Sequence, residues 1–277
     1  MPLFLGLDGG GTGCRAAVAD ASGRLLGSAT GGPSNIASDP AGARANILAV
    51  AAEALGNHGD LPDLHAVLGV AGANVASCAA QMIAELPFAD TRIVSDAVIA
   101  VKGALQAGEG VVAAIGTGSV FAVQRAGAIR QIGGSGLVLG DEASGAWLGR
   151  ALCARALRAR DGFESETPLL SDLIARLGGT DGVIRFSLSA RPVDFADFAP
   201  LLVTSSDPAA VALMREAAGE VEAYINLLQQ GQNLPVTFLG GLGPTYARLL
   251  DGRWPIRPAL GSGLDGALWM ARRGVAA

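Results

Sequence analysis

The fold is decided by the stretch LFLGLDGGGTGCRAAVAD, residues 3–20. An apolar run ends at Asp8, glycines then occupy most positions up to Gly13, and a second apolar run starts at Cys14. This order is typical of two strands joined by a glycine turn, and the turn at 21–23 leads into a third strand over 24–30. A dinucleotide-binding fingerprint is not indicated, because a helix would have to follow the glycines directly. The stretch predicts an antiparallel meander of three strands.

Strands and helices alternate after the meander. Apolar residues recur every three or four positions over 40–55, which predicts an amphipathic helix. We expect a strand over 65–70, a helix over 74–85, a strand over 91–95 and a helix over 96–106. The first part of the chain therefore has the order βββαβαβα.

The same order begins again at Gly110, with expected strands over 110–115, 120–125 and 128–132. The segments that follow are predicted as helices over 142–160, 168–177, 195–203 and 209–228, a strand over 236–239 and a helix over 262–273. Two βββα-type halves indicate a duplicated α/β architecture, with an N-terminal lobe over 1–108 and a C-terminal lobe over 109–263. Without a low-complexity linker, we expect the lobes to pack closely around a cleft.

Composition excludes several classes of protein. The chain has 277 residues, of which 50% are hydrophobic and 16% charged, so it can form a large core. Its net charge of −5 and the absence of a basic run argue against a nucleic-acid partner. No segment is suited to span a membrane, and the first residues lack a basic signal-peptide region. We therefore expect a soluble, cytoplasmic protein.

Scarce residue types restrict the chemistry. Lys102 is the only lysine and does not follow a glycine-rich loop, which excludes a P-loop nucleotide site. The two histidines, His58 and His65, and three widely spaced cysteines offer no zinc or disulfide framework. Acid–base chemistry is therefore expected to use carboxylates.

Two glycine turns suggest a phosphate site. The turn after Asp8 leaves main-chain N–H groups open to an anion, Thr12 adds a hydroxyl, and Asp8 can hold Mg²⁺. The segment Ile115–Ser119 repeats the strand–turn–strand arrangement around Gly116, Thr117 and Gly118. Each turn alone could be a plain hairpin. As a pair facing a cleft, they would hold a polyphosphate from both sides.

Further polar loops suggest a base and a pocket for hydroxyl groups. Asp96 follows a predicted strand and opens a helix, so it is either a helix-capping residue or a general base for a substrate hydroxyl. Asp141 could bind sugar hydroxyls or the metal, and Glu142 could simply favour a helix N-terminus. Asn35 could bind hydroxyls, and the glycines at 240–243 would let an adenine ring lie on the backbone.

These motifs together resemble the superfamily of acetate kinases, sugar kinases, heat-shock proteins and actin. The closest resemblance is to the N-acetylglucosamine and glucosamine kinases of the BadF/BadG/BcrA/BcrD ATPase family. It rests on DGGGTG at 8–13, the helix start at Asp96, IGTGS at 115–119, GDEASGAWLGR at 140–150 and FLGGLG at 238–243, in that order.

The resemblance implies two ribonuclease-H-like lobes, an actin-like ATPase fold, with ATP in the cleft and a C-terminal helix, 264–277, that joins the first lobe. Asp8 would organise Mg²⁺ and Asp96 would be the base for the 6-hydroxyl of an amino sugar, N-acetylglucosamine or glucosamine. A homodimer is also implied. The remaining implied contacts are phosphate at Gly10, Gly11, Thr12, Gly116, Thr117 and Gly118, adenosine at Gly240 and Gly241, and sugar at Asn35, Ser119, Gly134, Ser135 and Asp141.

Two features separate the alternatives within this family. Ser135 stands where relatives often carry a tryptophan beside the sugar, so the preference for an acyl group is left open. The branch that activates dehydratases needs cysteines for an iron–sulfur cluster, and the position of Cys14 within the phosphate motif disfavours it. A non-catalytic sugar or nucleotide sensor and an ATPase activator are the alternatives to a kinase.

Overall fold

The computed structural model describes residues 2–273, which form two compact units. Unit 1 contains the residues up to 109, the segment 124–129 and the residues from 258 onwards. Unit 2 contains residues 110–123 and 130–257. The last four residues of the predicted C-terminal helix, 274–277, lie outside the described residues.

The sheet of unit 1 has five strands in the order β3-β2-β1-β4-β5. Neighbours β1, β2 and β3 are antiparallel, as the glycine turns predict, whereas β4 runs parallel to β1 and β5 runs parallel to β4. The strands are β1 (Leu3–Gly9), β2 (Cys14–Ala19), β3 (Leu25–Gly31), β4 (Leu64–Val70) and β5 (Asp90–Val94).

The sheet of unit 2 has four strands in the order β8-β7-β6-β9, and β9 pairs parallel with β6. Six helices separate its third and fourth strands in sequence. The strands are β6 (Gly110–Ile115), β7 (Ser119–Arg125), β8 (Ala128–Gly133) and β9 (Val236–Leu239).

Eleven helices accompany the two sheets within residues 2–273. The helices are α1 (Pro40–Leu55), α2 (Ala76–Glu85), α3 (Asp96–Leu105), α4 (Gly145–Arg160), α5 (Pro168–Arg176), α6 (Thr180–Ser189), α7 (Pro192–Ala196), α8 (Ala199–Val203), α9 (Pro208–Gln229), α10 (Gly243–Leu249) and α11 (Gly263–Arg272). No described helix is both long enough and apolar enough to cross a membrane.

Glycines let α11 pack closely on α3 and on the sheet of unit 1. A side chain at Gly266 would overlap the main chain of Ile99 and Gly103, and one at Gly6 would overlap the main chain of Leu268. Because these backbones are in direct contact, α11 is held against the centre of the unit. The position of α11 also brings its first residue, Gly263, next to the carboxylate of Asp8.

In unit 2, α4 is the central helix of the core. Its buried face includes Leu148, Leu152 and Ala156, and it packs on α5, α7 and α9. The helix begins at Gly145 rather than at 142 as the sequence predicted. The reason is local: Asp141 and Ala143 have left-handed backbone angles, φ 58° and 64°, and the side chain of Ser144 caps the helix.

One other helix prediction was wrong, and two helices were missed. The segment predicted as one helix over 195–203 forms two, α7 and α8, because Pro200 cannot lie in a helix interior. The helices α6 and α10 were not predicted. Glycines at 178, 179 and 182 weaken the helical pattern of α6. The pair Gly243-Pro244 is typical of a turn, although proline is also favourable in the first turn of a helix such as α10.

We predict that Gly266→Ala lowers the free energy of unfolding by about 1–3 kcal/mol, because the new methyl group forces α11 away from α3. Gly219→Ala is the matched control, since a Cβ at Gly219 in α9 meets no atom within 4 Å. That substitution should be neutral or stabilise by up to about 1 kcal/mol. Urea unfolding measures both, and equal effects of the two substitutions would contradict the packing argument.

Candidate functional site

The carboxyl ends of three parallel strands form one edge of the unit 1 sheet. In the strand register, Asp8 of β1 lies beside Gly69 of β4, which lies beside Val94 of β5. Asp96 follows Val94 by two residues. Asp8 and the start of α3 are therefore two strand spacings apart, about 10 Å, at the edge where ligands of open parallel sheets bind.

Asp8 is a partly exposed carboxylate with one cationic partner. Its Oδ2 accepts a hydrogen bond of 2.6 Å from Nη2 of Arg15, and its side chain is 23% exposed. Arg15 lies opposite Asp8 on β2. The carboxylate also lies beside Gly263, where a Cβ would be 3.2 Å from Oδ2. Because Gly263 has no side chain, this part of the carboxylate is left uncovered.

The glycine turn after Asp8 opens a polar cavity. The N–H of Gly10 donates to the carbonyl of Gly13, while Gly11 and Thr12 are exposed. The cavity has a volume of about 400 Å³ and is lined by Asp8, Gly10, Thr12, Gly13, Cys14, Arg15, Thr30 and Gly31. It combines a carboxylate, a guanidinium and hydroxyl groups, so it can receive an anion together with its cation.

The donor groups at this cavity suit magnesium rather than a transition metal. No cluster of three or more His, Cys, Asp or Glu side chains capable of holding a metal occurs among the described residues. Mg²⁺ typically uses one or two protein carboxylates, with phosphate oxygens and waters as its other ligands. Asp8 supplies one such carboxylate, so the residues present fit a magnesium ion that arrives with a nucleotide.

Asn35 lies in a loop tied to the same edge. The N–H of Ser34 donates to the carbonyl of Gly10, and that of Ile36 donates to the carbonyl of Ala71, which follows β4. Oδ1 of Asn35 accepts from the N–H groups of Ala37 and Ser38 at 3.0 and 3.2 Å. These bonds occupy the oxygen and leave the amide nitrogen of Asn35 as its available donor.

Asp96 is exposed at the first position of α3, and Ser95 caps the helix. The side chain of Ser95 accepts from the N–H of Val98, and Oδ1 of Asp96 accepts from the N–H of Ala97 at 2.8 Å. Ser95 thus performs the capping that the sequence offered as an explanation for Asp96. The carboxylate of Asp96 still has an oxygen directed to solvent and can accept a proton.

In unit 2, the glycine turn between β6 and β7 is held by the start of α4. The N–H of Gly145 donates to the carbonyl of Gly116, and that of Ala146 donates to the carbonyl of Thr117. The N–H of Gly116 donates to the carbonyl of Gly118 within the turn. The side chain of Thr117 is exposed. The turn is therefore held by three main-chain hydrogen bonds and presents the Thr117 hydroxyl to solvent.

A cavity of about 540 Å³ opens beside this turn. Gly116 and Thr117 line it together with Gly241. The predicted roles of these residues towards phosphate and adenosine stay predictions. Gly240 adopts φ 81° and lies so close to the carbonyl of Ile115 that no side chain would fit, which brings Gly241 to the cavity wall. A Cβ at Gly116 or Gly241 would meet no atom within 4 Å, so both glycines leave the cavity open.

The far wall of this cavity was missed by the sequence analysis. It is mostly apolar and comes from α7, α8 and the start of α10. The sequence signal for this wall was Pro200 inside the helix predicted over 195–203. The helix is interrupted before this proline, and the two resulting helices, α7 and α8, form the concave wall. The residues are Val193, Ala196, Asp197, Ala199, Pro200, Val203, Thr204 and Thr245.

Asp141 and Ser119 lie together under the second turn. Asp141 is only 8% exposed, and its Oδ1 accepts from the N–H of Ser119 at 3.4 Å. The hydroxyl of Ser119 donates to the carbonyl of Glu142 at 2.8 Å. Ser119 is thus engaged in holding the loop, while Asp141 keeps its second oxygen beside Gly118.

Two tyrosines support the loop that contains Asp141. The hydroxyl of Tyr224 donates to Oε2 of Glu142 at 2.7 Å, and that of Tyr246 donates to the carbonyl of Ala143 at 2.6 Å. The hydrogen bond to Glu142, together with burial, raises the pKa of Tyr224 to about 12. The Tyr224 ring also stacks on Phe121 at 4.5 Å between centroids. Neither tyrosine was singled out from the sequence, since each acts from a distant helix.

Ser135 and Gly134 are exposed in the loop between β8 and α4. The side chain of Ser135 lies beside Gly140, where a Cβ would be 3.2 Å from Cβ of Ser135. The N–H of Gly140 donates to the carbonyl of Gly136, which closes this loop just before Asp141. Ser135 and Gly140 are therefore neighbours in this loop, and the buried Asp141 follows them directly in sequence.

Comparison with known proteins identifies the family. A model of the BadF/BadG/BcrA/BcrD ATPase family matches residues 5–247. The chain belongs to this family. Family membership confirms the resemblance inferred from the motifs.

Relatives in this group are named as amino-sugar kinases. Glucosamine kinase GspK of Vibrio cholerae serotype O1 is 28% identical over 283 residues, covering 98% of this chain and 96% of that protein. An N-acetylmuramic acid/N-acetylglucosamine kinase of Clostridium acetobutylicum is 29% identical over 263 residues, covering 87% of this chain and 86% of that protein.

A solved structure confirms the fold class. A Chromobacterium violaceum protein, provisionally described as an N-acetylglucosamine kinase, superposes with a TM-score of 0.85 and 29% identity, covering 98% of this chain and 99% of that chain. The fold is therefore the duplicated α/β fold of the actin-like ATPases. Unit 2 has this fold with four strands and an inserted group of helices.

We predict that Tyr224→Phe lowers the free energy of unfolding by about 1–2 kcal/mol at pH 8, through loss of the hydrogen bond to Glu142. The folded pKa of Tyr224, about 12, lies above the ordinary value of about 10. The stabilisation is therefore complete below about pH 10 and is lost as the pH rises towards 12. Urea unfolding at pH 8 and pH 11.5 tests this, and a loss independent of pH would contradict it. Glu142→Gln is the control, because it should reduce the same pH dependence.

Proposed function

We propose that this protein transfers the γ-phosphate of ATP to the 6-hydroxyl of an amino sugar, glucosamine or N-acetylglucosamine. The main observation in support of this proposal is that Asp8 and Asp96 lie at one sheet edge, about two strand spacings apart, and that both carboxylates are accessible. The named relatives support an amino sugar as the acceptor.

Asp8 is proposed to hold the magnesium ion. Bound Mg²⁺ would neutralise charge on the phosphate oxygens during transfer. In the structure the Asp8 carboxylate is paired with Arg15, so metal binding exchanges one cationic partner for another. Thr12 and the exposed turn at Gly10 and Gly11 are proposed to donate hydrogen bonds to phosphate oxygens.

Asp96 is proposed to act as the general base. Its carboxylate has one hydrogen bond, from the N–H of Ala97, which holds it at the start of α3 without enclosing it. A carboxylate at this place can accept the proton of the attacking 6-hydroxyl. Capping by Ser95 leaves Asp96 available for this role.

The cavity of unit 2 is proposed to bind the nucleotide. Its apolar wall on α7 and α8 suits an adenine ring. Gly241, placed at the cavity wall by the close packing of Gly240 on Ile115, would let the ring lie on the backbone. Gly116, Thr117 and Gly118 would contact the phosphates, with the Thr117 hydroxyl as an exposed donor.

The sugar is proposed to bind through hydrogen bonds to a small set of polar side chains. Asn35 can act there only as a donor, because its oxygen is occupied by the N–H groups of Ala37 and Ser38. Asp141 and Ser135 would accept hydrogen bonds from sugar hydroxyls, and Gly134 would leave space beside them. Ser119 would contribute indirectly, because its hydroxyl donates to the carbonyl of Glu142 and so holds the loop that contains Asp141.

Other sequence expectations remain predictions. These are the homodimer, the cytoplasmic location, the bounds of the two lobes and of the C-terminal helix, and a closure of the lobes on substrate binding. The buried position of Cys14 and Cys153 gives no support to a cluster-dependent ATPase activator.

A coupled assay of ADP release tests the proposed function. ATP and Mg²⁺ are supplied with glucosamine, N-acetylglucosamine, N-acetylmuramic acid, glucose or no sugar. Turnover that depends on an amino sugar supports the kinase, and NMR of the product locates the phosphate. ATP hydrolysis without sugar would instead favour an ATPase activator, and nucleotide binding without any turnover would favour a sensor.

We predict that Asp96→Asn retains ATP binding but lowers kcat by at least about 10²-fold, because a positioned base contributes at least this factor. Asp90→Asn is the matched control, since Asp90 lies at the opposite end of the same strand, β5. Steady-state kinetics with calorimetric ATP titration measure both. Near-normal turnover of Asp96→Asn would remove Asp96 from this role.

We predict that Gly241→Val raises the KM for ATP at least about tenfold and leaves the KM for the sugar nearly unchanged. The valine side chain would extend into the open cavity, so the fold should tolerate it while the ring loses space. Gly219→Val, which also meets open space but lies in α9, is the control. Equal KM values for ATP in wild type and Gly241→Val would contradict the assigned nucleotide cavity.

A further inference from the structure

A second cavity in unit 2 has no part in the proposed reaction. It measures about 560 Å³ and lies between α8, α9 and α10. Leu202, Met214 and Leu249 contribute to an apolar lining. Val211 and Leu249 at its margin are 44% and 51% exposed, so apolar surface is open to a ligand.

Two arginines from different helices line this cavity, Arg215 from α9 and Arg248 from α10. Across residues 2–273, neither guanidinium has a carboxylate within 4.0 Å, an aromatic ring beneath it or a hydrogen bond of its own. No acidic residue lines the cavity. Glu216, the acid next to Arg215 in sequence, is paired with Arg155 instead.

Both arginines are exposed, and they lie beside an apolar lining rather than beside carboxylates. Two other arginines of unit 2, Arg155 and Arg253, have carboxylate partners, Glu216 and Glu222. The chain as a whole has a net charge of −5, so two uncompensated positive charges at one apolar cavity are a local excess. Guanidinium groups bind carboxylate and phosphate oxygens through paired hydrogen bonds.

We propose that this cavity binds a small organic anion with an apolar body, either a carboxylate or a phosphate ester. Arg215 and Arg248 hold the anionic group, and the apolar lining around Leu202 and Met214 buries the rest of the molecule. The volume of about 560 Å³ lies within the range of small-molecule sites. Ligand binding at this cavity does not depend on the proposed kinase reaction, whereas its effect on nucleotide affinity rests on the proposed function.

The occupant can influence the nucleotide cavity because the two cavities share residues. Val203 at the end of α8 and Thr245 in α10 line both. Thr245 also follows closely on Gly241 in sequence, and its N–H donates to the carbonyl of Leu242. A ligand that shifts these side chains changes the affinity for nucleotide, and by linkage the nucleotide changes the affinity for that ligand.

Binding of the fluorescent anion 8-anilinonaphthalene-1-sulfonate to the full-length protein tests the proposal. We expect saturable binding in the presence of excess ATP, weakened at least about tenfold in the double variant Arg215→Gln/Arg248→Gln. The double variant Arg130→Gln/Arg185→Gln removes the same charge from exposed positions of unit 2 and should bind as wild type does. Equal binding by the two double variants overturns the proposal.

Competition and size measurements complete the test. Phenyl phosphate and benzoate should displace the probe at concentrations at which inorganic phosphate does not, because only the first two carry an apolar body. Displacement by inorganic phosphate at the same concentration overturns the apolar part of the proposal. A change of oligomeric state in Arg215→Gln/Arg248→Gln, with probe binding unchanged, would instead identify the surface as a contact between copies of the chain and overturn the ligand site.

Discussion

Parallel strand pairing is the constraint on which the candidate site depends. In unit 1, β1, β4 and β5 run in one direction, so the chain leaves all three at the same edge. Asp8, the loop of Asn35 and the start of α3 meet there although they are far apart in sequence. In unit 2, β6 and β9 are parallel, and the glycines that follow each strand line one cavity. A sheet of purely antiparallel neighbours would distribute these residues over both edges.

Glycines matter in both units because they allow backbones or ligands to come close. At Gly266 the absence of a side chain lets α11 contact α3, and at Gly240 it lets a turn contact the carbonyl of Ile115. At Gly116 and Gly241 the space is not filled by protein atoms. The first kind of glycine contributes to stability, whereas the second kind leaves volume for a ligand.

The loop before α4 shows how a strained segment is stabilised. Asp141 and Ala143 adopt left-handed backbone angles that cost about 1 kcal/mol or more each outside glycine. Hydrogen bonds from Tyr246 and Ser119 to the loop carbonyls, and from Tyr224 to Glu142, offset this cost. Strain held in this way often marks functional loops, and here it keeps the carboxylate of Asp141 beside the glycine turn.

The sequence alone determined the strands of unit 1, the meander in each half, the family and most of the candidate residues. These features depend on local patterns: apolar alternation, glycine turns and motif order act over a few residues. The boundaries of helices were predicted less well where unusual backbone angles or a proline decide them. The start of α4 depends on two residues with unusual backbone angles, and the division into α7 and α8 depends on Pro200.

Only the tertiary structure decided which groups are neighbours. It paired Asp8 with Arg15, occupied the oxygen of Asn35, engaged the hydroxyl of Ser119 and brought Tyr224 and Tyr246 to the loop of Asp141. It also formed the walls of both cavities in unit 2 from helices widely separated in sequence. Such contacts depend on long-range packing, which periodicity and motif spacing do not encode. Composition limits the available chemistry, but the arrangement of the folded chain determines which side chains remain free to perform it.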